Sequence, residues 1–163
     1  KVAKKPKQLN KEKFILNYFL GEIPEEWKME IERIAKENNC AIINILDTNE
    51  PFYETGPSEF LYLEKNAFLI CTDSFHSCVF SILYNTPFIN FERTDNRVNM
   101  NSRLETLLSK FKLQNRKFNG KITDELLECD YSNAKKILEK EKEKTYNFLK
   151  KALNINEGIK NEN

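Results

Sequence analysis

Ala67-Phe-Leu-Ile-Cys-Thr-Asp-Ser-Phe-His-Ser-Cys-Val-Phe-Ser-Ile-Leu-Tyr-Asn-Thr-Pro-Phe-Ile-Asn-Phe91 holds two short apolar runs with a helical pattern between them, and its reading decides the fold. Ala67 to Cys71 is apolar throughout and bounded by polar residues, the pattern of a strand covered on both faces. Thr72 to Ser74 ends that run, and Asp73 or Ser74 can cap a helix that begins at Phe75. Phe75, Val79, Ile82 and Leu83 recur at helical spacing and are expected to share its packed face. Asn85, Thr86 and Pro87 stop the helix, and Pro87 to Phe91 is a second buried run. The unit is therefore strand, helix, strand, with two parallel neighbours joined by a right-handed crossover.

In such a unit the loop after the first strand opens at the carboxyl edge of the sheet. The helix amides beside it lack intrahelical acceptors and carry partial positive charge, so an anion can bind there. Ser74, Phe75 and Ser77 form that turn, and His76, the only histidine, stands within it. His76 can donate to a bound phosphate or carboxylate, or hand a proton to a reacting group. A histidine at a helix start is often an ordinary surface residue or a satisfied helper, and position alone favours that reading.

The chain of 163 residues suits one domain with one core. Lys plus Arg number 26 and Asp plus Glu 25, a balance of +1 that gives no electrostatic reason to expect a nucleic-acid partner. No apolar run has the length of a membrane span and no signal-peptide pattern is present, so a cytoplasmic location is expected. Cys40, Cys71, Cys78 and Cys129 lie mostly among apolar residues, where reduced thiols act as small hydrophobes, and disulfides are not expected. A start at Lys1 rather than methionine is expected of a piece of a longer or processed chain.

Residues 1–13 carry six lysines against one glutamate and no apolar period, which predicts a solvated basic lead-in or linker. Residues 14–154 then form a single α/β domain, and 155–163 a frayed, disordered tail. Phe14 to Leu20 is expected as a central strand, with Gly21 at its end permitting close approach of backbone or ligand, a second candidate site. Pro24 suits a first helical position, followed by Trp27, Ile31, Ile34 and Ala35 on one face and by Asn38 and Asn39 at the stop. Cys40 to Leu46 reads as another buried strand, and Pro51 to Glu54 as a short edge strand. Gly56 and Pro57 mark a helix start, with Glu59 in its first turn. The helix start explains these residues structurally, while Glu59 can also accept sugar or ribose hydroxyls from this edge.

After Phe91 a polar loop at the same edge carries Arg93 and Arg97, whose planar forks match carboxylate or phosphate; each can also be a plain surface charge. Ser102 with Glu105 forms a capping-box pattern ahead of a face of Met100, Leu104, Leu107, Leu108 and Phe111. Asp124, Glu125 and Glu128 read as solvated carboxylates rather than a catalytic pair. Asp130 caps a long last helix with a seam of Ala134, Ile137, Leu138, Phe148, Leu149 and Ala152. The fold expected is a doubly wound, mainly parallel sheet of Rossmann-like type, with Phe14 to Leu20 central, Phe68 to Cys71 beside it across the switch point and residues 40–46 on the other side.

Cys71, His76 and Cys78 lack the paired spacing and fourth ligand of a zinc site, so no metal is expected. Ser74 and His76 lack a nucleophile-elbow pattern and a placed orienting acid. Glycine-rich phosphate loops are also missing.

Gly56-Pro-Ser-Glu-Phe-Leu61, Asn66-Ala67, Thr72-Asp-Ser-Phe-His76 and Pro87-Phe88, in this order, resemble the polysaccharide pyruvyl transferase family. The similarity runs from the Phe14 to Gly21 strand through Ser102-Arg103-Leu104 and Leu107-Leu108, and loosely to Asp130-Tyr131. It implies a two-domain, glycosyltransferase-B-like enzyme that moves a pyruvyl group from phosphoenolpyruvate onto sugar hydroxyls as a ketal, with this chain as the carboxyl-terminal half. The family's histidine falls on His76, and the implied role is to bind phosphoenolpyruvate and protonate its methylene carbon. Where the family usually has glycine after this histidine the chain has Ser77, which is expected to narrow a ligand's approach to the backbone. The implied partners are phosphoenolpyruvate as donor substrate, with no further cofactor, a glycan or lipid-linked sugar acceptor that brings the protein to a membrane periphery, and a missing N-terminal domain. Two other readings share the fold: a nucleotide-sugar-binding domain of a glycosyltransferase, which Glu59 would suit, and a noncatalytic interaction domain, which Ser77 would suit. The chain alone is expected to bind an anion weakly at the His76 turn without turnover, because the opposing wall of the cleft would lie in the other domain.

Overall fold

The structure, a computed structural model, describes residues 2–93 and 98–154, with only the backbone described at 98–100. Four strands form one all-parallel sheet: β1 (Phe14–Tyr18), β2 (Ala41–Asn44), β3 (Leu69–Thr72) and β4 (Phe88–Asn90), in the order β2-β1-β3-β4. Leu16 pairs with Ile43 on one side and Ile70 on the other, and Cys71 pairs with Ile89. The expected central strand, its neighbour across the switch point and the strand on its other side are all in place.

Alternation along the strands sends side chains into two cores. Phe14, Leu16, Ile70 and Phe88 face one, together with α2 (Pro57–Asn66), α3 (Phe75–Tyr84), α4 (Val98–Phe111) and the first half of α5 (Ser132–Ala152). Ile15, Leu69, Cys71 and Ile89 face the other, against α1 (Glu25–Glu37) and residues 118–127. The sheet is doubly wound, as expected. Cys71 and Cys78 are fully buried in these cores, where desolvation pushes both thiols above their ordinary range, and all four cysteines are free.

The two sheet edges differ. β2 is only half-buried, against the expectation of a buried strand, because it pairs on one side alone. β4 is fully buried because residues 116–118 cover its outer edge: Phe118 N donates to Asn90 O at 2.8 Å, and the buried Arg116 donates Nε to Phe88 O at 2.7 Å. Arg116 also reaches Leu126 O and Glu128 O, so one guanidinium ties a strand to two turns of an otherwise irregular segment.

Several local expectations are corrected. Pro24 is the residue before α1 rather than its first member. Pro51–Glu54 is a turn of 3-10 helix, not an edge strand, since the sheet ends at β2. Helix α4 begins at Val98, so Ser102 lies inside it and is no cap; Leu104, Leu107, Leu108 and Phe111 are buried as expected, and the Met100 side chain lies outside the described residues. In α3 the deepest positions are Ser77, Cys78, Ser81 and Ile82, while Leu83 is exposed. Asp130 accepts from Ser132 N at 2.9 Å and so holds the start of α5. Its seam holds only through Leu138; Phe148 and Leu149 are exposed because the helix runs past the core. The basic lead-in is not uniformly solvated: Pro6 and Leu9 are buried, and Lys4 N donates to Ser58 O at 2.9 Å. The expected tail at 155–163 lies outside the described residues.

Candidate functional site at the carboxyl edge

β1 and β3 are neighbours whose following helices pack on opposite faces, so the loops after them part and leave a crevice at the carboxyl edge. The turn from β3 into α3 is held from below by Thr72. Its hydroxyl donates to Tyr18 O at 2.6 Å and accepts from Ser74 N at 3.0 Å. Ser74 occupies the cap position of α3 but makes no side-chain cap.

Asp73 turns away from that helix. Its Oδ1 accepts from Leu20 N at 2.7 Å and its Oδ2 from Gly21 N at 2.9 Å, which laces the loop after β1 to the loop after β3. Arg93, just past β4, donates Nε to the same Oδ2 at 3.0 Å. Three loops at the carboxyl edge thus meet on one buried carboxylate. With Asp73 committed there, α3 has no side-chain cap among the described residues, which leaves the amides at its positive end without one from them.

His76 is exposed at this end, its ring 6.0 Å from that of Phe75 in an edge-on arrangement. The Arg103 guanidinium lies over the Phe75 ring, 4.6 Å from its centre, and both residues border a groove of about 390 Å³ between α3 and α4. A histidine, helix amides and a nearby arginine can together neutralise a small dianion and offer it a proton.

The other expected residues are placed as follows. Gly21 joins the Asp73 knot, and a Cβ there would lie 3.2 Å from Asp73 Oδ2, so the close approach it permits is to a side chain of this chain. Arg93 is not a free crevice cation: its side chain is 5 % exposed and ion-paired to Asp73. Gly56 caps α2, and Glu59 Oε2 accepts from Gly56 N at 3.1 Å, which engages that carboxylate in the helix start. Ser77 points inward, its hydroxyl donating to Glu64 Oε1 at 2.7 Å, so its side chain does not narrow the turn. Arg97 lies outside the described residues.

Glu64 went unnoticed in the sequence because its helix position carries no sign of burial. It is fully buried, Oε2 has no hydrogen-bond partner among the described residues, and desolvation pushes its carboxyl up to about 8 against the opposing effect of Ser77. Burial, then the Glu64 and Asp73 carboxyls, also push Tyr18 above its ordinary range. Among the described residues no group of three His, Cys, Asp or Glu is placed to hold a metal ion, and no helix is long and apolar enough to cross a membrane.

Neither the curated proteins nor the solved structures contain a match to this chain. A family model described as polysaccharide pyruvyl transferase matches residues 1–96, the stretch that holds β1 to β4, the Asp73 knot and the His76 turn. That match spans more than half of the 163 residues, and with it the chain belongs to the polysaccharide pyruvyl transferase family.

Proposed function

We propose that this chain is the carboxyl-terminal half of a transferase that moves a pyruvyl group from phosphoenolpyruvate to a sugar of a cell-surface glycan precursor. The observation that carries the reading is the exposed His76 at the start of α3, which has no side-chain cap among the described residues, within the residues the family model matches. The amides of Phe75 to Ser77 hold the donor's phosphate or carboxylate. His76 delivers a proton to the methylene carbon, which leaves the adjacent carbon electron-poor. Two sugar hydroxyls add to that carbon, phosphate departs from it, and the hydroxyl protons pass to solvent, giving the ketal and inorganic phosphate. Asp73 and Arg93 act at one remove by fixing the turn that aims His76.

The inward rotamer of Ser77 supports this reading over a noncatalytic one, since its hydroxyl is turned to Glu64 rather than toward a ligand at the turn. Engagement of Glu59 with Gly56 supports it over nucleotide-sugar binding at α2. The catalytic groups of a second wall would come from another domain, so the chain alone is expected to bind phosphoenolpyruvate weakly without turnover.

The test is phosphate release from phosphoenolpyruvate with an oligosaccharide acceptor in the two-domain protein. His76→Ala should lower kcat by roughly a hundredfold or more, the usual scale for a lost general acid, with an unchanged circular dichroism spectrum. Full activity in that variant overturns the role of His76.

A further inference from the structure

Asn17 and Asn44 face each other across β1 and β2, as register partners joined by Asn17 Nδ2 donating to Asn44 Oδ1 at 2.9 Å. Asparagine is disfavoured in strands, and a buried amide left partly unbonded is costly. Asn17 is 7 % exposed, and its Oδ1 has no partner among the described residues. Two adjoining cavities of about 220 and about 370 Å³ open at this point and share Asn17, Ile23, Asn44 and Asp47 in their walls. The larger falls in the ~300–1,000 Å³ range of ligand sites.

We propose that this edge between β1 and β2 is a second ligand subsite, one that takes the hydroxyl-rich ring of a neutral sugar. Charge selects against an anion: Lys28 in the larger cavity is outnumbered by Glu32, Asp47 and Glu50. Donor and acceptor chemistry selects for hydroxyls. Exchanging oxygen and nitrogen in both amides keeps the Asn17–Asn44 bond and turns the orphaned acceptor into an orphaned donor. Asn17 Oδ1 has under 1 Å² of accessible surface, so the amide has to turn toward the cavity on binding; a hydroxyl then satisfies it as donor or acceptor, whereas a metal ion or a phosphate satisfies only one. Asp47 Oδ1 accepts from Asn49 N, and its second oxygen adds an acceptor for a neighbouring hydroxyl. Ile23 supplies an apolar wall for the ring's C–H face.

The subsite and the His76 turn share one loop, because Gly21 lines the smaller cavity and donates its amide to Asp73. That the sugar is the acceptor rests on the function proposed above; that a sugar ring binds here does not.

The 163-residue chain labelled with nitrogen-15 is titrated with methyl galactoside, uridine and inorganic phosphate in turn, and the side-chain amide signals of Asn17 and Asn44 are followed by NMR. Displacement by methyl galactoside, with an apparent Kd weakened about tenfold in Asp47→Ala, supports an acceptor-sugar subsite. Asp47 is exposed, so that variant tests binding without disturbing the core. Displacement by uridine alone supports the sugar-ring subsite with a ribose as its occupant. Displacement by phosphate alone, or by none of the three, overturns it. The readout is independent of pyruvyl transfer, so its failure and failure of the His76 mechanism are separate results.

Discussion

Arg93 Nε donates to Asp73 Oδ2 at 3.0 Å with both side chains almost wholly out of solvent, and the same carboxylate accepts the amides of Leu20 and Gly21. Breaking a buried pair by removing one charge leaves the other uncompensated, at about 3–5 kcal/mol. Asp73→Asn should therefore lower unfolding free energy in urea by that amount. The double variant Asp73→Asn with Arg93→Met should lose less than the sum of the two single variants, because the two positions share one interaction.

Gly21→Ala places a methyl group 3.2 Å from Asp73 Oδ2, and Asp73 is tethered on both oxygens. The neighbour has little freedom to retreat, so overpacking should cost about 1–3 kcal/mol, read as a lowered urea midpoint at unchanged m-value.

Glu64 makes stability depend on pH. Its folded pKa of about 8 is above the ordinary 4.5, so the folded state holds a proton that the unfolded state has released between these values. The contribution is fully present below about pH 4.5 and is lost as pH rises through about 8, with a slope of roughly 1.4 kcal/mol per pH unit in the window. Glu64→Gln cannot ionise and keeps an acceptor for the Ser77 hydroxyl. Thermal melts at several pH values should show a shallower decline in the variant, with the largest gain over the parent near pH 8 to 9.

Arg116→Met should be among the most damaging changes outside the site. Three backbone carbonyls, of Phe88, Leu126 and Glu128, would lose their donor. The Phe88 and Leu126 carbonyls are buried, and each unsatisfied buried acceptor costs roughly 1–3 kcal/mol, so a loss of about 2 kcal/mol or more is expected. Burial lowers the Arg116 pKa from its ordinary value, yet an arginine remains protonated, and Arg116→Lys should recover only part of the loss because an ammonium cannot span the same fork. Chemical denaturation of both variants checks the order.

Local pattern alone determined the sheet order, the strand and helix units around it, and the place of His76 at the carboxyl edge. Each follows from apolar period, from Gly, Pro and Asn punctuation, and from the handedness of a parallel crossover. The Gly-Pro-Ser-Glu-Phe-Leu and Thr-Asp-Ser-Phe-His pieces, taken together and in this order, likewise carried the family resemblance. Only tertiary structure decided what the polar residues bond to. Asp73 read as a helix cap but meets amides 52 and 53 positions away, and Arg93 read as a crevice cation but meets Asp73. Ser77 turns inward to a glutamate 13 residues earlier, and Arg116 closes a sheet edge from a segment without periodicity. The exposed half of α5 shows the same limit, since a helical seam records which residues share a face and not whether anything packs on it. A buried charge takes whichever partner the folded loops bring within about 3 Å, and that depends on contacts far apart in sequence rather than on the spacing of its neighbours.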